Sequence, residues 1–189
     1  MKKAVFLDRD GVINDLIFSE FRKEYEPPHK VEDIKIFDGV EDSLKELKKN
    51  GFELFLISNQ PDFAKGKTTL EDLVAVKEKF IEILNKDEVI IKEDFYCLHH
   101  PDGVTYGYSY DCECRKPKTF FVDKAVEKYG LDRNGSWFIG DRETDVECGI
   151  NAGLKTVLLK NRYNNYTDIH KPDFISDDLD SAVKIILKK

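Results

Sequence analysis

Apolar residues along this chain fall into two alternating patterns. Short continuous runs occupy residues 4–8, 52–57, 95–98, 137–139 and 156–159, and a shorter one lies at 173–175. Runs of that length, bounded by polar and glycine-containing stretches, predict buried strands. Between them apolar positions recur every three to four residues. Val40, Leu44 and Leu47 mark a helix over 40–49, and Leu70, Leu73, Val74, Phe80, Ile81 and Leu84 mark one over 70–84. Shorter helical patterns cover 119–129, 144–152 and 179–187. Strand–helix alternation predicts an α/β fold, a Rossmann-like parallel sheet flanked by helices.

Two stretches break the rhythm. Residues 12–38 hold Pro27-Pro28 and several aromatics, and predict a small flap or hairpin over the end of the first strand. Residues 97–118 are rich in Cys, His, Gly and Tyr and read as a loop that needs a staple. The 189 residues suit one domain, 1–189, with the loop 97–118 inserted and no large cap domain.

The first strand ends in Asp8-Arg9-Asp10-Gly11. Residues i and i+2 of an extended chain point the same way, so both carboxylates face one small volume. In open α/β sheets ligands bind at that edge. One carboxylate can serve as nucleophile and the other as general acid/base. The second strand runs into Ser58-Asn59-Gln60, whose hydroxyl and amides suit phosphate oxygens. Arg115-Lys116-Pro117-Lys118 forms a positive cluster; a lysine there can neutralise phosphoryl charge and an arginine can grip an anion with two bonds. The fourth strand ends in Gly140-Asp141-Arg142-Glu143-Thr144-Asp145. Asp141 stands where a hard oxygen ligand for Mg²⁺ is wanted. Asp145 is either a second acidic contact or a cap for the following helix.

Three of the four cysteines cluster with histidine as Cys97-Leu98-His99, twelve residues, then Cys112-Glu113-Cys114. Three thiolates and one imidazole make a closed tetrahedral set suited to structural Zn²⁺. His100 competes with His99 for the imidazole position. Cys148 reads as a small buried residue.

Composition narrows the partners. The formal net charge is -7, which disfavours nucleic-acid binding by general electrostatics. No apolar run approaches a membrane span, and Met1-Lys2-Lys3 leads straight into a strand, so a cytoplasmic monomer acting on a small molecule is expected.

Taken in order, the D-x-D of Asp8 and Asp10, Ser58, Lys116 and the acidic Asp141/Asp145 motif resemble the four motifs of the haloacid dehalogenase superfamily of phosphotransferases. That resemblance implies that Asp8 attacks phosphorus and that Asp10 serves as acid/base. It implies Mg²⁺ on Asp8, Asp141 and the Asp10 backbone carbonyl, with Ser58 and Lys116 on the phosphoryl oxygens. The stretches D-R-D-G-V-I-N, S-N-Q, C-x-H-H-P-D-G and C-x-C-R-K-P-K further resemble the D-glycero-D-manno-heptose 1,7-bisphosphate 7-phosphatases. Their family pattern favours His99 over His100 as the zinc ligand. It implies substrate contacts at Asn59, Arg115 and Arg142, and a place in nucleotide-activated heptose biosynthesis for surface glycans. The related histidinol-phosphate phosphatases have a shorter spacing between C-x-H and C-x-C. Hydrolysis of histidinol phosphate or another small sugar phosphate is the alternative, followed by a non-catalytic zinc-stapled binding module. Two regions depart from the family pattern: Pro61-Asp62 follows S-N-Q, and the 15–33 segment is long and charged.

Overall fold

The computed structural model describes residues 2–163 and 170–189. Six strands form one parallel sheet: β1 (Lys3–Leu7), β4 (Phe52–Asn59), β5 (Glu93–Cys97), β6 (Trp137–Gly140), β7 (Lys155–Leu159) and β8 (Phe174–Ser176). Their order is β5-β4-β1-β6-β7-β8, with every neighbouring pair parallel. β2 (Ile17–Ser19) and β3 (Glu24–Glu26) pair antiparallel as a separate hairpin, the flap expected within 12–38. The helices are α1 (Val40–Lys49), α2 (Leu70–Lys86), α3 (Phe120–Tyr129), α4 (Glu143–Asn151) and α5 (Leu179–Leu187).

Alternation along β1 divides the core. Val5 and Leu7 face one side, where Leu44 and Leu47 of α1, Phe80 and Leu84 of α2, and Val183 and Ile186 of α5 close over them. Ala4 and Phe6 face the other, against Val122 and Ala125 of α3 and Cys148 of α4. Phe6 lies between Phe55 and Phe138, with ring centroids 5.2 Å and 6.4 Å away. Cys148 is buried, as expected of a small residue on that helix.

Each predicted strand and helix is present. The main shift is at β4, which continues through Ser58 and Asn59 because those residues pair with Tyr96 and Cys97 of β5. No helix among the described residues is long and apolar enough to cross a membrane.

The chain leaves β1 toward β4 and β5, then returns past β1 to β6. The reversal opens a crevice between β1 and β6 at the strands' C-terminal ends, where such sheets bind ligands. Asp8 and Asp10 follow β1, and Asp141 follows β6.

Candidate active site

The crevice is a cavity of about 410 Å³ lined by Asp8, Asp10, Asn59, Arg115, Lys116, Asp141, Arg142 and Asp145, with Leu16, Glu24, Tyr25, Glu26 and Pro27 of the flap on one wall. Asp8, Asp141 and Asp145 each offer a carboxylate oxygen within 4.8 Å of the others, and all three residues are buried. Burial pushes the Asp8 carboxyl up to about 6 against the pull of Lys116. Burial, and then the Asp145 and Asp8 charges, push Asp141 up to about 7. Three buried carboxylates served by one ammonium suit a small hard divalent cation, which oxygen donors bind and whose charge relieves their repulsion.

That ammonium is Lys116. Its Nζ lies 2.8 Å from Asp8 Oδ1 and 2.7 Å from Asp145 Oδ1, and donates to the Ile57 carbonyl at 2.7 Å. All three of its donors are thus accounted for. Asp8 and Asp145 hold its pKa above the ordinary lysine value, although burial opposes this. The Lys116 backbone is fixed by Asn59, whose Oδ1 accepts from Lys116 N and whose Nδ2 donates to Lys116 O, both at 3.1 Å. Asn59 therefore lines the cavity with both ends of its amide already holding the lysine loop.

Asp145 fills both roles left open by its sequence position. One oxygen meets Lys116; the other accepts from Arg142 N at 3.0 Å, capping α4. Gly140 makes this possible, because a Cβ there would overlap the Asp145 side chain.

Asp10 also lines the cavity but is held by a different set of donors. Its carboxylate accepts from Arg9 Nε at 3.1 Å, Arg9 Nη2 at 3.0 Å, Asn14 Nδ2 at 3.0 Å and Gln60 Nε2 at 2.5 Å. Arg9 is itself buried, its guanidinium 5.9 Å from the Phe80 ring and 5.6 Å from the Tyr96 ring. Ser58 is 1 % exposed and does not line the cavity; its hydroxyl accepts from Gln60 Nε2 at 2.9 Å.

The zinc-loop residues converge. Sγ atoms of Cys97, Cys112 and Cys114 lie 3.3–3.4 Å apart, and His99 Nδ1 is 3.5 Å from Cys114 Sγ. A tetrahedron with Zn–S bonds of about 2.3 Å has sulfurs ~3.7 Å apart, so the set fits that ion. The choice between histidines follows from geometry: His99 faces the sulfurs, whereas His100 Nδ1 accepts from Asp102 N at 3.1 Å. Tyr110 Oη lies 3.0 Å from His99 Nε2, the outer partner that fixes a ligating ring.

The remaining wall is ionic. Lys67 Nζ binds Glu24 at 2.6 Å and Glu26 at 2.9 Å, and His29 Nε2 lies 2.8 Å from Asp62 Oδ2. The two regions that depart from the family pattern thus meet, tying the flap to the loop after β4. Among the described residues, Lys65, Arg115 and Arg142 line the cavity without an ion pair to any carboxylate.

Residues 113–182 match the HAD-hydrolase-like family model. The chain is 35% identical to the D-glycero-beta-D-manno-heptose-1,7-bisphosphate 7-phosphatase of Haemophilus influenzae over 84% of this chain and 82% of that protein. The chain belongs to the heptose 1,7-bisphosphate 7-phosphatase family of haloacid dehalogenase-like hydrolases. Family membership makes it a phosphomonoester hydrolase. A relative from Photorhabdus laumondii, named for the alpha anomer, is 31% identical over 97% of this chain and 96% of its own length. The D,D-heptose 1,7-bisphosphate phosphatase of B. bronchiseptica, solved with magnesium and phosphate, shares the fold with a TM-score of 0.80 at 24% identity, covering 98% of each chain.

Within this family's site, sequence reasoning missed Arg9, Asn14 and Gln60 around Asp10, and the pairing of Lys116 with Asp145. Arg9 reads as the spacer of D-x-D, and nothing local signals its burial. Gln60 and Asn14 each sit beside a recognised motif, and that adjacency was the available signal.

Proposed function

We propose that this protein removes the 7-phosphate of D-glycero-D-manno-heptose 1,7-bisphosphate, through an aspartyl-phosphate on Asp8, in the synthesis of nucleotide-activated heptose. The observation that carries this reading is the buried Asp8–Lys116–Asp145 chain beside Asp141, at the floor of a cavity whose rim holds Lys65, Arg115 and Arg142, which have no carboxylate partner among the described residues.

Asp8 Oδ attacks phosphorus, and the bond from phosphorus to the sugar O7 breaks. Asp10 gives its proton to the departing O7 oxygen and later takes one from the water that attacks the aspartyl-phosphate. That water's oxygen leaves in inorganic phosphate, and Asp8 returns to a carboxylate. Lys116 holds Asp8 in a single rotamer and offsets its charge as the anionic phosphate approaches. Asp8, Asp141 and the Asp10 carbonyl would hold Mg²⁺, which supplies charge neutralisation between nucleophile and phosphate when bound. The magnesium and phosphate in the B. bronchiseptica structure support this choice of ion. Ser58, buried beneath the floor, does not reach the phosphoryl oxygens expected of it; its hydroxyl holds the Gln60 amide that donates to Asp10.

Arg115 and Arg142 suit the second phosphate, and Asn59 places the loop that carries Arg115. Zn²⁺ on Cys97, His99, Cys112 and Cys114 folds the loop and fixes Arg115 and Lys116, which follow the last ligand directly. The whole of residues 1–189 acts as one catalytic domain in the cytoplasm, with no nucleic-acid partner.

The test is phosphate release with Mg²⁺ from heptose 1,7-bisphosphate in both anomers, histidinol phosphate and a hexose bisphosphate. A preference of at least tenfold for one heptose anomer is expected. Equal or better turnover of histidinol phosphate would overturn the substrate assignment.

A further inference from the structure

Beyond β7 the chain continues Lys160-Asn161-Arg162-Tyr163, and the Asn161 side chain reaches back over the C-terminal edge of the sheet. Its Nδ2 donates to Asp141 Oδ2 at 2.7 Å and to the Gly11 carbonyl at 3.3 Å. The other end of the amide is taken: Asn161 Oδ1 accepts from Tyr163 N at 2.9 Å. An amide offers a donor at one end and an acceptor at the other, so this backbone contact decides which end faces Asp141. Tyr163 is in turn anchored, because its hydroxyl donates to Asp15 Oδ1.

Gly11 completes the contact. It has φ +86°, and a Cβ there would overlap the Asp141 carboxylate and lie 3.0 Å from Asn161 Nδ2. The loop after β1, the loop after β6 and the loop after β7 therefore converge on one carboxylate, with a glycine leaving room for it.

We propose that Asn161 is a positioning residue for the divalent cation: it fixes the Asp141 carboxylate in the orientation that closes on Asp8 and Asp145. This inference rests on the reading of that cluster as a Mg²⁺ site. The chemistry of the side chain suits the task. A lysine at this position would compete with the cation, and a carboxylate would add repulsion to three buried anions. A neutral amide orients one oxygen without altering the charge the cation meets. Outer partners of metal ligands typically account for about 10–100-fold in metal affinity. Nothing in the sequence motifs singles out Asn161; it stands one residue past the strand-end position that follows β7.

The experiment is calorimetric titration of Mg²⁺ into wild type, Asn161→Ala and Asn161→Ser, with Asp141→Asn as the control that removes the ligand itself. Melting curves of the metal-free proteins accompany it. The expected result is Mg²⁺ binding about 10–100-fold weaker in both Asn161 variants, with metal-free melting temperatures within a few degrees of wild type. A serine hydroxyl is too short to restore the contact, so the two variants should agree. Folded variants that bind Mg²⁺ within about threefold of wild type would overturn the role of Asn161. Wild type that fails to bind Mg²⁺, or Asp141→Asn that binds it as well as wild type, would instead overturn the metal site on which the inference rests.

Discussion

Replacing Lys116 with methionine tests whether the buried charge network holds the site together. Lys116 Nζ sits between Asp8 and Asp145 at 2.8 Å and 2.7 Å, with side-chain exposures of 2 % for the lysine and 9 % and 1 % for its partners. Methionine matches much of the lysine volume, so packing changes little and the loss is mainly electrostatic. Removing one partner from a buried ion pair costs about 3–5 kcal/mol, because the other charge is left uncompensated. For a chain of this size that corresponds to a melting temperature lower by roughly 6–20 °C. The loss should depend on pH in a defined direction. Asp8 already titrates near 6 with the lysine present. Without it the folded protein binds a proton more tightly than the unfolded chain, whose aspartates titrate near 3.8. A group with a raised folded pKa costs stability above that pKa and regains it as pH falls. Urea unfolding of metal-free protein at pH 7.5 should therefore show the full deficit of about 3–5 kcal/mol, and at pH 5 a clearly smaller one. A deficit below about 1 kcal/mol at pH 7.5, or one that grows as pH falls, would refute the reasoning.

The other predictions address single parts. Asp141→Asn should stabilise the metal-free protein at pH 7.5, because it removes a carboxyl pushed up to about 7 by burial and its neighbours. The gain should be about 2–4 kcal/mol at pH 7.5 and shrink below about 1 kcal/mol by pH 4, close to the unfolded value of 3.8; equal stability at pH 7.5 would contradict it. Asp10→Asn should lower stability by about 3–5 kcal/mol, because the buried Arg9 loses its carboxylate, yet stay folded with Mg²⁺ affinity unchanged while turnover falls by about 10²–10⁴-fold, measured as steady-state phosphate release. Purified, reduced protein should carry one Zn²⁺ per chain by metal analysis, and a chelator should accelerate hydrogen exchange across 97–118 before the sheet; zinc-free protein with the same loop protection would count against the staple.

Much of this was legible because the chemistry sits where the apolar runs stop. A run that ends in Asp8-Arg9-Asp10 or Gly140-Asp141 identifies both a strand and the edge of the sheet that matters. The convergence of the Cys₃His cluster was legible from spacing, since Cys97 and Cys112, fifteen positions apart, bring their sulfurs to 3.4 Å through short C-x-H and C-x-C hooks. What escaped depends on contacts between distant segments. Arg9 is buried by Phe80 of α2 and Tyr96 of β5, and no local pattern around Arg9 encodes either neighbour. His29 and Asp62 lie in the two regions that depart from the family pattern, yet only the fold reveals that they face one another at 2.8 Å. Asp145 was ambiguous in sequence for a physical reason: the third residue of a helix can both cap its own first turn and present an oxygen to a lysine across the crevice.

The central claim is that Asp8 forms the covalent bond to phosphorus. Turnover of 7-phosphate-labelled heptose bisphosphate, quenched with borohydride and mapped by peptide mass spectrometry, tests it directly. The account predicts reduction of a single carboxyl, at Asp8, dependent on substrate and absent from Asp8→Asn. Rapid phosphate release with no modified aspartate, or modification at Asp10 or Asp141 instead, would contradict it.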